Sequence, residues 1–254
     1  MAARLRPNAL DQPRGRALDA VAELIESGDT ARIAEALALP PSAIGSSLLS
    51  NGAVRRSATM PALDRYAGTV YAGLDARSLL PDERRAADAV VLIFSGLFGV
   101  VRGGDPVPDY RVPAKAALPG LGVAGTFWRP WLTEYLPTVL TSGPIVDLRS
   151  SDYAAMWRPA PGSDEAARTV SVRVLSPRPD GSMGVVSYPS KYFKGVLAAA
   201  LIRAVAAGRA VSCADDVAQH WLATGGSDAR VCPPGRNGVS LDLFSATSTI
   251  VGAL

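Results

Sequence analysis

The alternation over Thr169–Leu175 constrains this chain most. Val170, Val172 and Val174 interleave with Ser171 and Arg173, a period of two that puts the valines on one face of a strand and the polar residues on the other. Pro179-Asp180-Gly181-Ser182 supplies turn chemistry, and Met183–Tyr188 reads as the returning strand. A lone hairpin is at best marginal in water, so these residues demand a larger sheet with a buried face. Val90–Phe94, Ile145–Leu148, Val231 and Val239–Phe244 offer further strands, the last two flanking a Pro-Gly-Arg-Asn-Gly turn.

The first third of the chain is helical instead. Ala17–Ile25 carries Leu18, Val21, Leu24 and Ile25 at helical spacing and stops at Gly28. Asp29 or Thr30 caps a second helix containing Ile33, Leu37 and Leu39, and Pro40-Pro41-Ser42 opens a third, Ala43–Leu49. Asn51-Gly52 reads as a turn. Pro61 opens a helix running through Tyr66 and Tyr71. Pro81-Asp82-Glu83 opens another, with its acids at the favourable end of the helix dipole. Further on, Ser190–Ala207 is a long helix ended by Gly208, and Asp215–Ala223 is a short one. This order points to an α+β fold, a single mixed domain with a hairpin-containing sheet, rather than a regular βαβ alternation.

Composition narrows the function. At 254 residues and 48% hydrophobic, the chain has enough apolar material for a sizeable core. Its longest apolar run, Val90–Val101, is broken by Ser95, Gly96 and Gly99 and falls short of the roughly 20 residues of a membrane helix. Met1–Asp11 is basic but has no apolar signal region. The expectation is a soluble, cytoplasmic protein with Cys213 and Cys232 as buried thiols. A net charge of +3 says little about nucleic acid, and an aromatic content of 6% leaves little for base stacking. His220 is the single histidine and has no triad or metal pattern around it, so neither a metal nor a cofactor is expected.

Four segments carry candidate chemistry. Ser95-Gly96-Leu97-Phe98-Gly99-Val100-Val101-Arg102-Gly103-Gly104-Asp105, with Tyr110-Arg111 after it, follows a candidate strand. Glycines let a backbone turn tightly, and guanidinium forks suit phosphate or carboxylate. Equally, the glycines serve turns alone and Arg102 pairs with Asp105. Ser187–Gly195 sets Lys191 and Lys194 three apart at a helix start, where backbone N–H groups make an anion site; two solvated lysines are the plain alternative. Asp147–Tyr153 reads as a strand end running into a helix capped by Ser150 or Ser151, with Arg149 between. Ligands in α/β folds often sit at such strand ends, although an ordinary capped junction explains it as well. Ser50–Arg56 reads as a turn between helices followed by Arg55 and Arg56. A helix–hairpin–helix-like element of that kind offers N–H groups and arginines to DNA phosphates, and a plain interhelical loop is the alternative.

In chain order, Tyr66–Leu74, Ser95–Arg102 with Asp105 and Tyr110-Arg111, Phe127-Trp128, Asp147–Tyr153, and Ser190-Lys191 through Lys194-Gly195 resemble the YaaA peroxide stress protein family. The resemblance runs from about Leu18 to the C-terminus. It implies a single YaaA-like domain over residues 1–254, with a positively charged cleft and a helix–hairpin–helix-like element that binds double-stranded DNA. It also implies a cytosolic protein that limits peroxide damage, in part by keeping unincorporated iron low. No catalytic reaction comes with it. Three departures stand out. Met1–Gln12 lacks the hydrophobic opening strand, so the chain looks shortened at its start. Val112-Pro113-Ala114 stand where Met-Gly usually follows Tyr-Arg. Ser190 and Lys194 stand where Ala and Arg are usual, and Lys194 keeps the charge but loses the bidentate fork.

Two functional readings follow. In the first, a peroxide-stress protein holds duplex DNA by its phosphates with low sequence specificity. Its anion-binding set is Arg55, Arg56, Ser95, Arg102, Arg111, Arg149, Ser150, Lys191 and Lys194. In the second, an enzyme acts on a small anionic substrate, a nucleotide or a carboxylate metabolite. Lys191 or Tyr110 is then the acid or base and Arg102 or Arg111 the clamp. The balance leans away from an enzyme, and no membrane partner is expected.

Overall fold

The computed structural model describes Leu5 and residues 8–246; within Met1–Gln12, residues 1–4, 6 and 7 lie outside the described residues. By their contacts the residues form two compact units, each an α+β mixture. The first comprises Met1–Arg65, Val91–Val139 and Arg149–Arg158, and the second Tyr66–Val90, Leu140–Leu148 and Pro159–Leu254.

In the first unit, the helix Asp11–Glu26 buries Pro13, Arg14, Ala17, Ala20, Val21 and Leu24, the stripe expected at helical spacing. Asp29 caps the helix Thr30–Ala36 by accepting from the Arg32 N–H. The helix Ile44–Ala53 packs against Asp11–Glu26 and runs straight through Asn51-Gly52, so the turn expected there falls instead at Val54–Arg56. The reason is that the Asn51 carboxamide, which in a turn would bond its own backbone, engages a partner 60 residues away. The helix expected from Pro61 through Tyr71 is also corrected. Met60–Pro61 is a short strand paired with Pro106–Val107, Ala62–Arg65 and Thr69–Leu74 are separate short helices, and Gly68 between them has φ 119°.

Leu92–Ser95 and Gly99–Arg102 form an antiparallel hairpin. The strand starts later than Val90 because the helix Pro81–Val90 continues that far, supported by the Arg84–Asp88 pair at 2.9 Å one turn apart. A second hairpin, Ala117–Leu118 with Gly122–Val123, leads into the helix Ala124–Val139. Ala124, Trp128, Leu132 and Leu136 form its fully buried row.

The second unit is built on a mixed sheet with strand order Asp228–Val231, Val239–Phe244, Thr169–Pro177, Ile145–Asp147. Val239–Phe244 and Ile145–Asp147 both run parallel to the central strand. The alternation read at Thr169–Leu175 holds: Val170, Val172 and Val174 are buried and pack with Leu197, Leu201, Val217, Trp221, Leu241 and Leu243. Each such side chain contributes roughly 1.5–3 kcal/mol by leaving water. On the opposite face, Arg173 forks onto Asp242 at 2.6 and 2.7 Å.

The hairpin return is shorter than expected, only Met183–Gly184. The long helix begins at Ser187 and runs to Ala206, because Pro189 sits inside its first turn, where a missing N–H has no cost. Cys213 is exposed at the start of the helix Ala214–Ala223 and Cys232 is half-buried past a strand end; neither is the buried thiol expected. Among the described residues, no helix is long and apolar enough to cross a membrane.

Candidate functional site

The glycine-rich hairpin of the first unit owes its shape to internal packing. Ser95 Oγ accepts from the N–H groups of Leu97 at 3.1 Å and Phe98 at 2.9 Å. Those bonds fill its two lone pairs, so its own proton goes to Tyr110 Oη at 2.5 Å. The Tyr110 ring also meets Phe98 edge-on at 5.1 Å. Gly96 lies so near the next loop that a Cβ would stand 2.5 Å from the carbonyls of Val112 and Pro113. Gly99, at φ 73°, would drive a Cβ to 2.6 Å from the Trp128 ring, and Trp128 Nε1 donates to the Gly96 carbonyl at 2.9 Å.

Arg14, not singled out from sequence, and Asn51, read there only as part of a turn, complete this framework. Arg14, 5% exposed, donates to the carbonyls of Phe98 at 3.2 Å and Val100 at 2.8 Å. Burial holds its pKa below the usual arginine value, with Asp11 opposing the shift. Asn51, 1% exposed, donates through Nδ2 to the Arg111 carbonyl at 3.1 Å and accepts the Arg111 N–H through Oδ1 at 2.9 Å. A side-chain amide thus pairs with both backbone polar groups of one residue, as a neighbouring strand would. In the sequence Arg14 shows only as a polar residue on an otherwise apolar helix face, whereas the buried face of Ile44–Ala53 is itself polar, made of Ser47 and Asn51.

The remaining candidates of the first unit differ in how they are engaged. Arg102 and Arg111 are exposed. Asp105 accepts the Arg102 backbone N–H at 2.8 Å. Arg55 pairs with Asp19 at 2.5 Å, and Arg56 reaches the Gly52 carbonyl at 3.4 Å. Arg149 lies 4.2 Å over the Phe94 ring and 5.6 Å from that of Trp157. It donates to the carbonyls of Tyr153 and Trp157, so its fork braces the junction. Ser150 takes the N-cap position of Ser151–Ala154 without a side-chain bond.

In the second unit, Lys191 and Lys194 do not sit at the helix start. The helix begins at Ser187, so both lie beyond its first turn, past the unpaired N–H groups. Lys191 is exposed and Lys194 half-buried. Burial lowers the Lys194 pKa, while the Asp147 carboxylate pulls it back up. Gly195 beside it serves packing, since a Cβ there would fall 2.0 Å from the Val70 carbonyl. An open groove of about 390 Å³ lies alongside, lined in part by Asp75, Ser78, Tyr192 and Arg203; none of the sequence candidates lines it. Among the described residues, no group of three or more His, Cys, Asp or Glu could hold a metal ion.

Comparison with known proteins adds an independent line. Residues 4–210 match the family model described as peroxide stress protein YaaA. A UPF0246 protein of Streptomyces coelicolor is 38% identical over 182 residues, covering 71% of this chain and 68% of the relative. UPF0246 proteins of Corynebacterium efficiens and Corynebacterium glutamicum are 40% and 38% identical over 157 and 154 residues, each about 60% of this chain. The matches span 59% and 58% of those two relatives' own length.

Proposed function

This chain belongs to the peroxide stress protein YaaA family, and we propose on that premise that it protects against peroxide damage by binding double-stranded DNA and helps to limit free iron. Binding in this reading is to phosphates and tolerant of sequence. In the first unit, Arg102 and Arg111 are the principal contacts, and Arg55 and Arg56 supply further ones. In the second unit, exposed Lys191 adds a contact of its own.

The observation that supports this reading is the setting of Arg111. Its backbone is clamped by Asn51, its neighbour Tyr110 is clamped by Ser95, and its side chain is exposed. A guanidinium on an immobilised peptide loses little freedom when it forks onto a phosphate. The Arg55–Asp19 pair is no obstacle, because exposed ion pairs are worth only about 0–1 kcal/mol.

Fluorescence anisotropy with a labelled duplex across a salt series tests the reading. Affinity is expected to fall steeply with salt, and each phosphate contact removed to flatten the log–log slope by about 0.9. The triple variant Arg102→Ala, Arg111→Ala, Lys191→Ala should bind more weakly and with a shallower slope. Absence of wild-type binding at low salt, or equal affinity for the triple variant, would refute it. Cells lacking the protein should show poorer survival of peroxide and a larger pool of iron visible by electron paramagnetic resonance.

A further inference from the structure

Asn51 ties together two basic segments far apart in the chain. Its helix, Ile44–Ala53, leads into Arg55 and Arg56 within four residues, while its carboxamide holds the peptide of Arg111 through both a donor and an acceptor. Both bonds are within ordinary hydrogen-bond length and involve a side chain that is 1% exposed. Bonds of that kind, shielded from competing water, fix geometry more firmly than exposed ones. Arg111 itself makes these bonds only through its backbone, which leaves its guanidinium exposed for a ligand.

We propose that Asn51 is a positioning residue that sets Arg111 in register with Arg55 and Arg56, so that the two segments engage phosphates of one duplex together. The proposal rests on the DNA-binding reading above and deepens it, because it names a residue that touches no phosphate yet governs how many are held. Chemistry supports asparagine in particular. Aspartate at this position keeps an acceptor for the Arg111 N–H but, when ionised, offers no donor to the Arg111 carbonyl. Alanine keeps neither.

Duplex titrations over a salt series, run on wild type, Asn51→Ala, Asn51→Asp, Arg111→Ala and the double variant Asn51→Ala/Arg111→Ala, test this. Asn51→Ala should flatten the salt slope by about one phosphate contact, as Arg111→Ala does. The double variant should bind no worse than the weaker single variant, since both remove the same contact. Asn51→Asp should fall between wild type and alanine, and it supplies the reading if Asn51→Ala does not fold. A purely structural role would change the melting temperature and leave the slope of the folded protein unaltered. Wild-type and Arg111→Ala behaviour as expected, with an unchanged slope in the Asn51 variants, would overturn the positioning role alone. A wild type that binds no duplex at low salt would overturn both this inference and the DNA-binding reading.

Discussion

Gly73 and Gly195 meet where the helices Thr69–Leu74 and Ser187–Ala206 cross. A Cβ on Gly73 would stand 2.0 Å from the Tyr192 carbonyl and 3.2 Å from the Gly195 Cα, and one on Gly195 would stand 2.0 Å from the Val70 carbonyl. Backbone faces backbone, so no rotamer change relieves the overlap. Gly195→Ala is therefore expected to destabilise by about 3 kcal/mol. Gly15, inside the helix Asp11–Glu26, has open space where a Cβ would stand, with nothing within 4 Å. Gly15→Ala should stabilise by about 0.5–1 kcal/mol through helix propensity. Urea unfolding of the two variants reads both signs.

Arg14 and Arg102 separate stability from binding. Arg14→Met fills the same space but leaves the carbonyls of Phe98 and Val100 without their donor, at a cost of about 3 kcal/mol. Arg102→Ala removes an exposed side chain and should leave the urea midpoint nearly unchanged while weakening duplex binding. The combination of midpoint and anisotropy checks the division. A loss of stability for Arg102→Ala equal to that for Arg14→Met would contradict it.

Ser95 and Tyr110 should act as a unit. Ser95→Ala strips the acceptor from the N–H groups of Leu97 and Phe98 as well as the donor to Tyr110, and about 2 kcal/mol of destabilisation is expected. Tyr110→Phe removes only the last of these bonds. Adding it to Ser95→Ala should therefore change little, a non-additivity that a double-mutant cycle measures directly.

Asp216 gives the helix Ala214–Ala223 an acid-sensitive cap. Its carboxylate accepts the Ser212 N–H at 2.7 Å and the Cys213 N–H at 3.3 Å, and these bonds, Ser212 first, hold its pKa below the ordinary aspartate value. A depressed folded-state pKa means that the native state binds fewer protons than the unfolded chain. The stabilisation is therefore present above about pH 3.9 and is lost as pH falls from there through the folded value. Wild type should lose stability over that window more steeply than Asp216→Asn. Melting curves from pH 6 downwards compare the two, and parallel pH profiles would exclude the cap.

Where local pattern decides a feature, the sequence suffices to read it. Val170, Val172 and Val174 alternate because one face of their strand is buried, and that pattern survives any detail of the turn. The helix ends at Gly28 and Gly208, with φ 66° and 68°, are equally visible. What escapes is set by distant partners. Arg14 bonds a carbonyl 84 residues away and Asn51 a peptide 60 residues away, and neither pairing leaves a local trace. Asn51-Gly52 has the composition of a turn, yet tertiary bonding keeps it helical. Lys191 reads as a helix-start residue because Pro189 looks like punctuation, whereas proline inside a first turn leaves the helix intact. The Ser-Gly-Leu-Phe-Gly segment is legible as special, but its glycines answer to Trp128 and to the Val112–Pro113 backbone.

The central strand Thr169–Pro177 takes Val239–Phe244 as its parallel neighbour, and that has a consequence for biosynthesis. While a ribosome is still adding residues before Val239, one edge of Thr169–Pro177 has no mate and its valines lack Leu241 and Leu243 as cover. Pairings so distant in sequence form slowly, and an open edge is a template for other chains. The second unit thus reaches its native sheet only after Val239–Phe244 has been made, and a nascent chain stalled short of that point would be a natural client for a chaperone.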